Sequence, residues 1–220
     1  MLLPVIIVNF KTYPQGTGKQ ALELAKIHEK VAKKTGVSLA VAVQAVDLRM
    51  IAAEVDIPVF SQHFDVADPG AFTGHISASS LLAAGAFGTL LNHAEKKLQL
   101  DVLEKSIELA RNLGLFTLVC ADTAYAGKAI SELDPDLVAI EPPELIGGDV
   151  SVSVAEPQLI QDAVAMIGKG KVIVGAGVKT GEDVRLSIKY GASGVLLASG
   201  VAKSLDPEKT LYDLISGLDL

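Results

Sequence analysis

Polar residues able to move protons or hold anions stand where apolar runs of this chain end. "PVIIVNF" is followed by Lys11 and contains Asn9, "AFGTLL" runs into Asn92 and His93, and "DLVAI" runs into Glu141. A His at such a position can serve as a catalytic acid, a metal ligand or a polar end to a buried strand, and the residue alone leaves all three open. Glu141 at the end of an apolar strand is partly desolvated, which strengthens a carboxylate as a base. Glu144 competes for that role, but it belongs to "PPELIGG", a segment with a rigid Pro-Pro start and a Gly148 end that suits a lid moving between two hinges. Lys11 can neutralise an anionic substrate or pair with Glu95. The two roles are compatible, because an ammonium has several protons to give.

Two glycine-bearing turns add a second kind of chemistry. "GAG" (175–177) and "ASG" (198–200) each follow an apolar run. Turns of this kind let backbone N–H groups approach a phosphate, with Gly177, Val178, Ser199 and Gly200 as candidates, or they are simply tight strand-to-helix turns. The remaining histidines say less. His28 sits in a charged helical stretch and reads as a surface residue, while His63 and His75 lie in or near a loop. No two histidines have metal-ligand spacing and Cys120 has no partner, so the sequence argues against a zinc site. Cys120 itself, behind "LFTLV", reads as a buried structural thiol.

The elements that must position these groups follow from hydrophobic patterning. Eight apolar runs recur, at 4–10, 38–44, 57–63, 86–93, 115–121, 136–141, 171–177 and 193–199. Continuous rather than alternating runs suit parallel strands covered on both faces. Helical patterns lie between them. Leu103, Ile107 and Ala110 share one face, as do Leu211, Leu214, Ile215 and Leu218. Helix starts are legible at Asp206-Pro207 and at Thr180, where Asp183 completes a capping box. A β-α unit repeated eight times predicts an α/β protein, a (β/α)8 barrel in one domain over residues 1–220. In such a barrel the C-terminal strand ends share one mouth, so all the candidate groups would meet there.

Bulk properties are consistent with this. Of 220 residues, 50% are hydrophobic and 20% charged, enough to bury a large core. A formal net charge of −7 argues against a nucleic-acid binder, without excluding an anionic ligand at a locally positive site. "MLLPVIIVNFK" lacks a basic leader and is too short to span a membrane, so it reads as a strand. A single cysteine fits a cytoplasmic location.

With "NFK" at 9–11, "NHAE" at 92–95, "IEPPELIG" at 140–147, "GAG…LLASG" at 175–200 and "AFTG" at 71–74, the chain resembles the triosephosphate isomerase family in its short, archaeal-type form. The resemblance covers essentially the whole chain. It implies a TIM barrel interconverting dihydroxyacetone phosphate and glyceraldehyde 3-phosphate through an enediolate, a step of glycolysis and gluconeogenesis, without cofactor or metal. Glu141 would be the base, His93 the electrophile, and Lys11 the cation near the substrate oxygens with Asn9 beside it. Glu95 would steer Lys11. Ile146 and the lid from Pro142 to Gly148 would close over the substrate, with Gly147, Gly177, Ala198 and Ser199 at the phosphate. Thr73 would be the tip of an interface loop in a homo-oligomer, a dimer or, favoured for the short form, a tetramer.

The chain also departs from the family pattern. Ala94 replaces the usual Ser after the His, "PPEL" replaces an aromatic-bearing lid, Ala198-Ser199 replaces a Gly-Gly turn, and there is no Trp. Two alternatives remain: another phosphate-binding barrel, resembling indole-glycerol-phosphate or prenylglyceryl-phosphate synthases, or a barrel that binds a triose phosphate as a sensor. The first calls for a larger aromatic pocket than four Tyr and six Phe scattered along the chain provide.

Overall fold

In the computed structural model, which describes residues 1–148 and 150–218, eight parallel strands close into a barrel in sequence order. The strands are β1 (Val5–Asn9), β2 (Ser38–Val43), β3 (Val59–Ser61) and β4 (Gly88–Leu91). The second half adds β5 (Phe116–Ala121), β6 (Leu137–Ile140), β7 (Val172–Gly175) and β8 (Gly194–Leu197). β8 returns to β1, pairing Val195 with Ile6 and Leu197 with Val8, so no sheet edge is left open. All eight fall inside the apolar runs read from the sequence.

Helices cover the outside: α1 (Gly18–Thr35), α2 (Ala45–Ala52), α3 (Ala78–Ala83), α4 (Leu100–Leu113) and α5 (Ala124–Ser131). After β6 come α6 (Val152–Ala155) and α7 (Pro157–Ile167), after β7 comes α8 (Gly181–Lys189), and after β8 come α9 (Ser199–Ala202) and α10 (Pro207–Ser216). The starts of α8 and α10 are as the sequence implies. Thr180 and Asp183 exchange the two bonds of a capping box, and Asp206 accepts from the Lys209 N–H.

Strand period two sorts the side chains into two cores. Val5, Ile7, Ala40, Ala42, Phe60, Leu90, Leu118, Ala139, Ile173 and Leu196 fill the barrel interior. The alternate residues, such as Ile6, Val8, Val41 and Val138, pack outward with the helices. Phe60, Phe87 and Phe116 close the N-terminal end, their ring centroids 5.4 to 5.9 Å apart. Cys120 lies in the inner core, as expected of a structural thiol.

His28 corrects the sequence reading. It is fully buried on the inner face of α1, in line with Leu24 and Val31, and its ring lies 5.5 Å from that of Phe10. The charged neighbours that suggested a surface position occupy the other face. Its Nδ1 donates to the Leu24 carbonyl at 2.7 Å, so a polar ring fits an apolar row, while Nε2 is buried without a partner among the described residues.

Candidate active site

The mouth of the barrel is assembled by parity. Val5 and Ile7 point inward, so Asn9 does too, and Leu137 and Ala139 put Glu141 on the inner face in the same way. β4 breaks the rule. Asn92, two residues beyond inward Leu90, adopts a left-handed φ of 58°, bonds sideways to the Cys120 carbonyl (3.0 Å) and accepts from the Leu98 N–H (3.0 Å). That twist sends the next residue, His93, to the cavity. Lys11 and Ala176 are also left-handed, with φ of 48° and 75°. Three of the four non-glycine residues with such a φ among the described residues, Asp134 being the other, thus lie just past strand ends and place strain at the mouth.

Asn9, Lys11, His93, Glu141, Ile146, Gly147, Gly177, Ala198 and Ser199 all line one cavity. Within it His93 Nε2 lies 3.9 Å from Glu141 Oε2, and both side chains are buried. On the far side of the imidazole, the Glu95 N–H donates to Nδ1 at 3.1 Å. A backbone donor there needs the Nδ1 lone pair, so the ring proton sits on Nε2 and points into the cavity. Lys11 Nζ is 2.8 Å from Glu95 Oε1, the pairing foreseen from the sequence. Glu144 is exposed, outside this cluster.

Two close approaches explain glycines in the "GAG" turn. A Cβ on Gly175 would lie 2.2 Å from Glu141 Cγ and 2.4 Å from its Oε1, so the carboxylate lies directly across the backbone of β7. On Gly177, whose φ is +73°, a Cβ would lie 2.2 Å from the Val150 carbonyl oxygen. The segment after the lid therefore crosses the turn at contact distance. Glu141 also neighbours the Cys120 thiol, whose pKa is pushed well up by burial and then by that carboxylate.

A model of the triosephosphate isomerase family matches residues 4–216. The chain belongs to that family. Triosephosphate isomerase of Methanosarcina barkeri is 46% identical over 219 residues, covering 98% of this chain and 99% of its own. That of Methanocaldococcus jannaschii is 46% identical over 96% and 98%, and that of Pyrobaculum calidifontis 44% over 99% and 97%. The crystal structure of the Bartonella henselae triosephosphate isomerase shares the fold at a TM-score of 0.71 and 18% identity, covering 95% of this chain and 98% of its own.

The family motifs leave out one residue that the geometry brings in. Gln62 follows Phe60 by two positions, and its amide donates to Asn9 Oδ1 (3.1 Å) and to the Lys11 carbonyl (2.9 Å). Asn9 Oδ1 also accepts from the Lys11 N–H at 3.0 Å. Gln62 thus ties down the left-handed turn that carries Lys11. The signal for it was present in the "VFSQH" run, since the parity that turns Phe60 inward turns Gln62 inward as well. Thr73, read as the interface tip of the triosephosphate isomerase pattern, is exposed in a loop pinched at its base by Asp65, which pairs with Ile76 through both backbone and side chain.

Proposed function

We propose that Glu141 and His93 perform the family's reaction, isomerisation of dihydroxyacetone phosphate and glyceraldehyde 3-phosphate, in the cavity they share. The observation that carries this reading is the Glu141 carboxylate lying 3.9 Å from an Nε2–H that the Glu95 backbone holds in place, both facing one cavity. Glu141 takes a proton from the carbon next to the carbonyl, while His93 donates its Nε2 hydrogen bond to the oxygen on which charge develops. The carboxylic acid then returns the proton to the neighbouring carbon, and the hydroxyl proton moves between the two oxygens. A neutral imidazole is the better donor here, being closer in acidity to the enediol than an imidazolium would be.

Lys11, held by Glu95 and Asn9, supplies positive charge beside the substrate oxygens. Gly147, Gly177, Ala198 and Ser199 form the phosphate side of the same cavity, under a lid running from Pro142 to Gly148 with Ile146 facing the site. Closing the lid excludes water, which protects an enediolate from losing phosphate. Ala94 has no hydroxyl to hold Glu141. In its place, the carboxylate packs against the Gly175 backbone beside the Cys120 thiol, with Oε2 buried and free of a hydrogen-bond partner among the described residues.

The working unit is a cytoplasmic homo-oligomer, a dimer or a tetramer built from dimers, with the whole chain as one catalytic barrel. A second cavity lined by Lys11, Gln62, His63, Glu95 and Lys96 opens beside the first, and it suits the Thr73 loop of a partner. Running the reaction in D2O tests the proton transfer. Glu141 acting as base predicts deuterium bound to carbon in the product, whereas direct hydride transfer between the two carbons would leave that position unlabelled.

A further inference from the structure

Asp183 does more than cap a helix. One carboxylate oxygen, Oδ2, completes the capping box and accepts from the Lys179 N–H (3.0 Å), the Thr180 N–H (2.9 Å) and the Thr180 hydroxyl (2.9 Å). The other, Oδ1, accepts from the hydroxyl of Ser151 at 2.5 Å, across 32 residues of sequence. Ser151 directly follows Val150, whose carbonyl oxygen would lie 2.2 Å from a Cβ on Gly177, and it is itself 2% exposed. Ser153 joins the same cluster, 2.9 Å from the Ser151 hydroxyl and donating to the Asp183 carbonyl at 3.2 Å. The Val152 N–H reaches the Ala176 carbonyl at 3.3 Å.

A capping box needs only the first set of bonds. The second set joins two segments that meet at the phosphate side of the cavity: the turn 176–180 after β7, and the chain that leaves the lid. We propose that Asp183 is a positioning residue that fixes these two segments as one unit, so that the phosphate turn keeps its shape while the lid moves only up to Ser151. This deepens the proposed function and rests on its placing of the substrate phosphate at the Gly177 turn. Burial pushes the Asp183 pKa up, but the donors from Ser151, Lys179 and Thr180 outweigh it and hold the group below the ordinary carboxylate range, so it stays ionised at neutral pH.

Ser151→Ala removes the bond to the lid side and leaves the capping box whole. The test compares kcat/KM for glyceraldehyde 3-phosphate with that for glyceraldehyde, which has no phosphate to hold, and measures Ki for inorganic phosphate. The expected result is a loss of about tenfold on the phosphorylated substrate, the size of one hydrogen bond to a charged group. The phosphate Ki rises in parallel, while the reaction of glyceraldehyde stays within about twofold. Ser151→Thr, which keeps the hydroxyl, restores both phosphate-dependent values.

Equal losses on the two substrates would make Ser151 merely structural and overturn the proposal, as would an unchanged phosphate Ki. If inorganic phosphate failed to compete in the unaltered enzyme, the placing of the phosphate at this turn would fail instead, a separate outcome. Should Ser151→Ala fold poorly, Asp183→Asn provides the same comparison. Its oxygen serves the cap while its amide donates to the Ser151 hydroxyl, so a charge-assisted bond becomes a neutral one and a smaller loss, still selective for the phosphorylated substrate, is expected.

Discussion

At the scale of single residues, the site depends on where side chains are allowed to lie. Glu141 occupies the space a Cβ on Gly175 would need, so Gly175→Ala displaces the carboxylate by roughly an ångström. The expected outcome is a fall in kcat of about a hundredfold or more, with the barrel still folded by circular dichroism. A variant within about threefold of the parent would place the reacting carboxylate elsewhere. Gln62→Met keeps the length of the side chain and removes both donors to the β1 turn. Without them the strained Lys11 is freer, and kcat/KM is expected to fall about tenfold. Measured as affinity for inorganic phosphate, that effect should vanish in a Lys11→Met background, because the two residues act as one unit. Additive losses would mean that Gln62 does not act through Lys11.

At the scale of elements, α1 holds a titratable group where none is needed. Burial lowers the pKa of His28 to about 4 from 6.5, and the bond to the Leu24 carbonyl only partly opposes this. The unfolded chain takes up the proton first, so this contribution to stability is complete above pH 6.5 and is lost as the pH falls towards 4. At pH 5 the loss amounts to about 2 kcal/mol. Urea unfolding of the parent and of His28→Leu at pH 7.5 and pH 5 checks this. The parent should lose about 2 kcal/mol more than the variant between the two conditions, and parallel losses would show that His28 does not titrate on unfolding.

The same helix shows what the sequence could and could not reveal. Eight strands and the starts of α8 and α10 were legible, because continuous apolar runs and capping residues are local signals. Parity extends those runs to Asn9 and Glu141. It fails at His93, since the left-handed turn at Asn92 depends on a bond to the Cys120 carbonyl that arises only when β4 and β5 pair. His28 was misplaced for a related reason: its charged neighbours are local, whereas the inner face of α1 is defined by packing. Asp183 was read correctly as a cap, but its bond to Ser151 spans two loops that no spacing rule connects.

At the scale of the whole molecule, all the proposed groups meet because a closed barrel gathers eight strand ends into one mouth. Short strands suffice, as β3 shows with three residues. The Thr73 loop stands outside this economy, exposed and pinched at its base. Thr73→Arg puts a charge where a partner's cavity would receive the tip, which should weaken association by about 2 kcal/mol or more, roughly thirtyfold. Sedimentation is expected to show a smaller species, and an unchanged assembly would assign the interface to another face. The central claim is tested most directly by assaying triose phosphate isomerisation with the parent enzyme and Glu141→Gln prepared identically. Rapid turnover in the parent that falls by about a thousandfold or more in the variant, with phosphate still competing for the site, is the predicted result. Turnover in the variant within about threefold of the parent would contradict it.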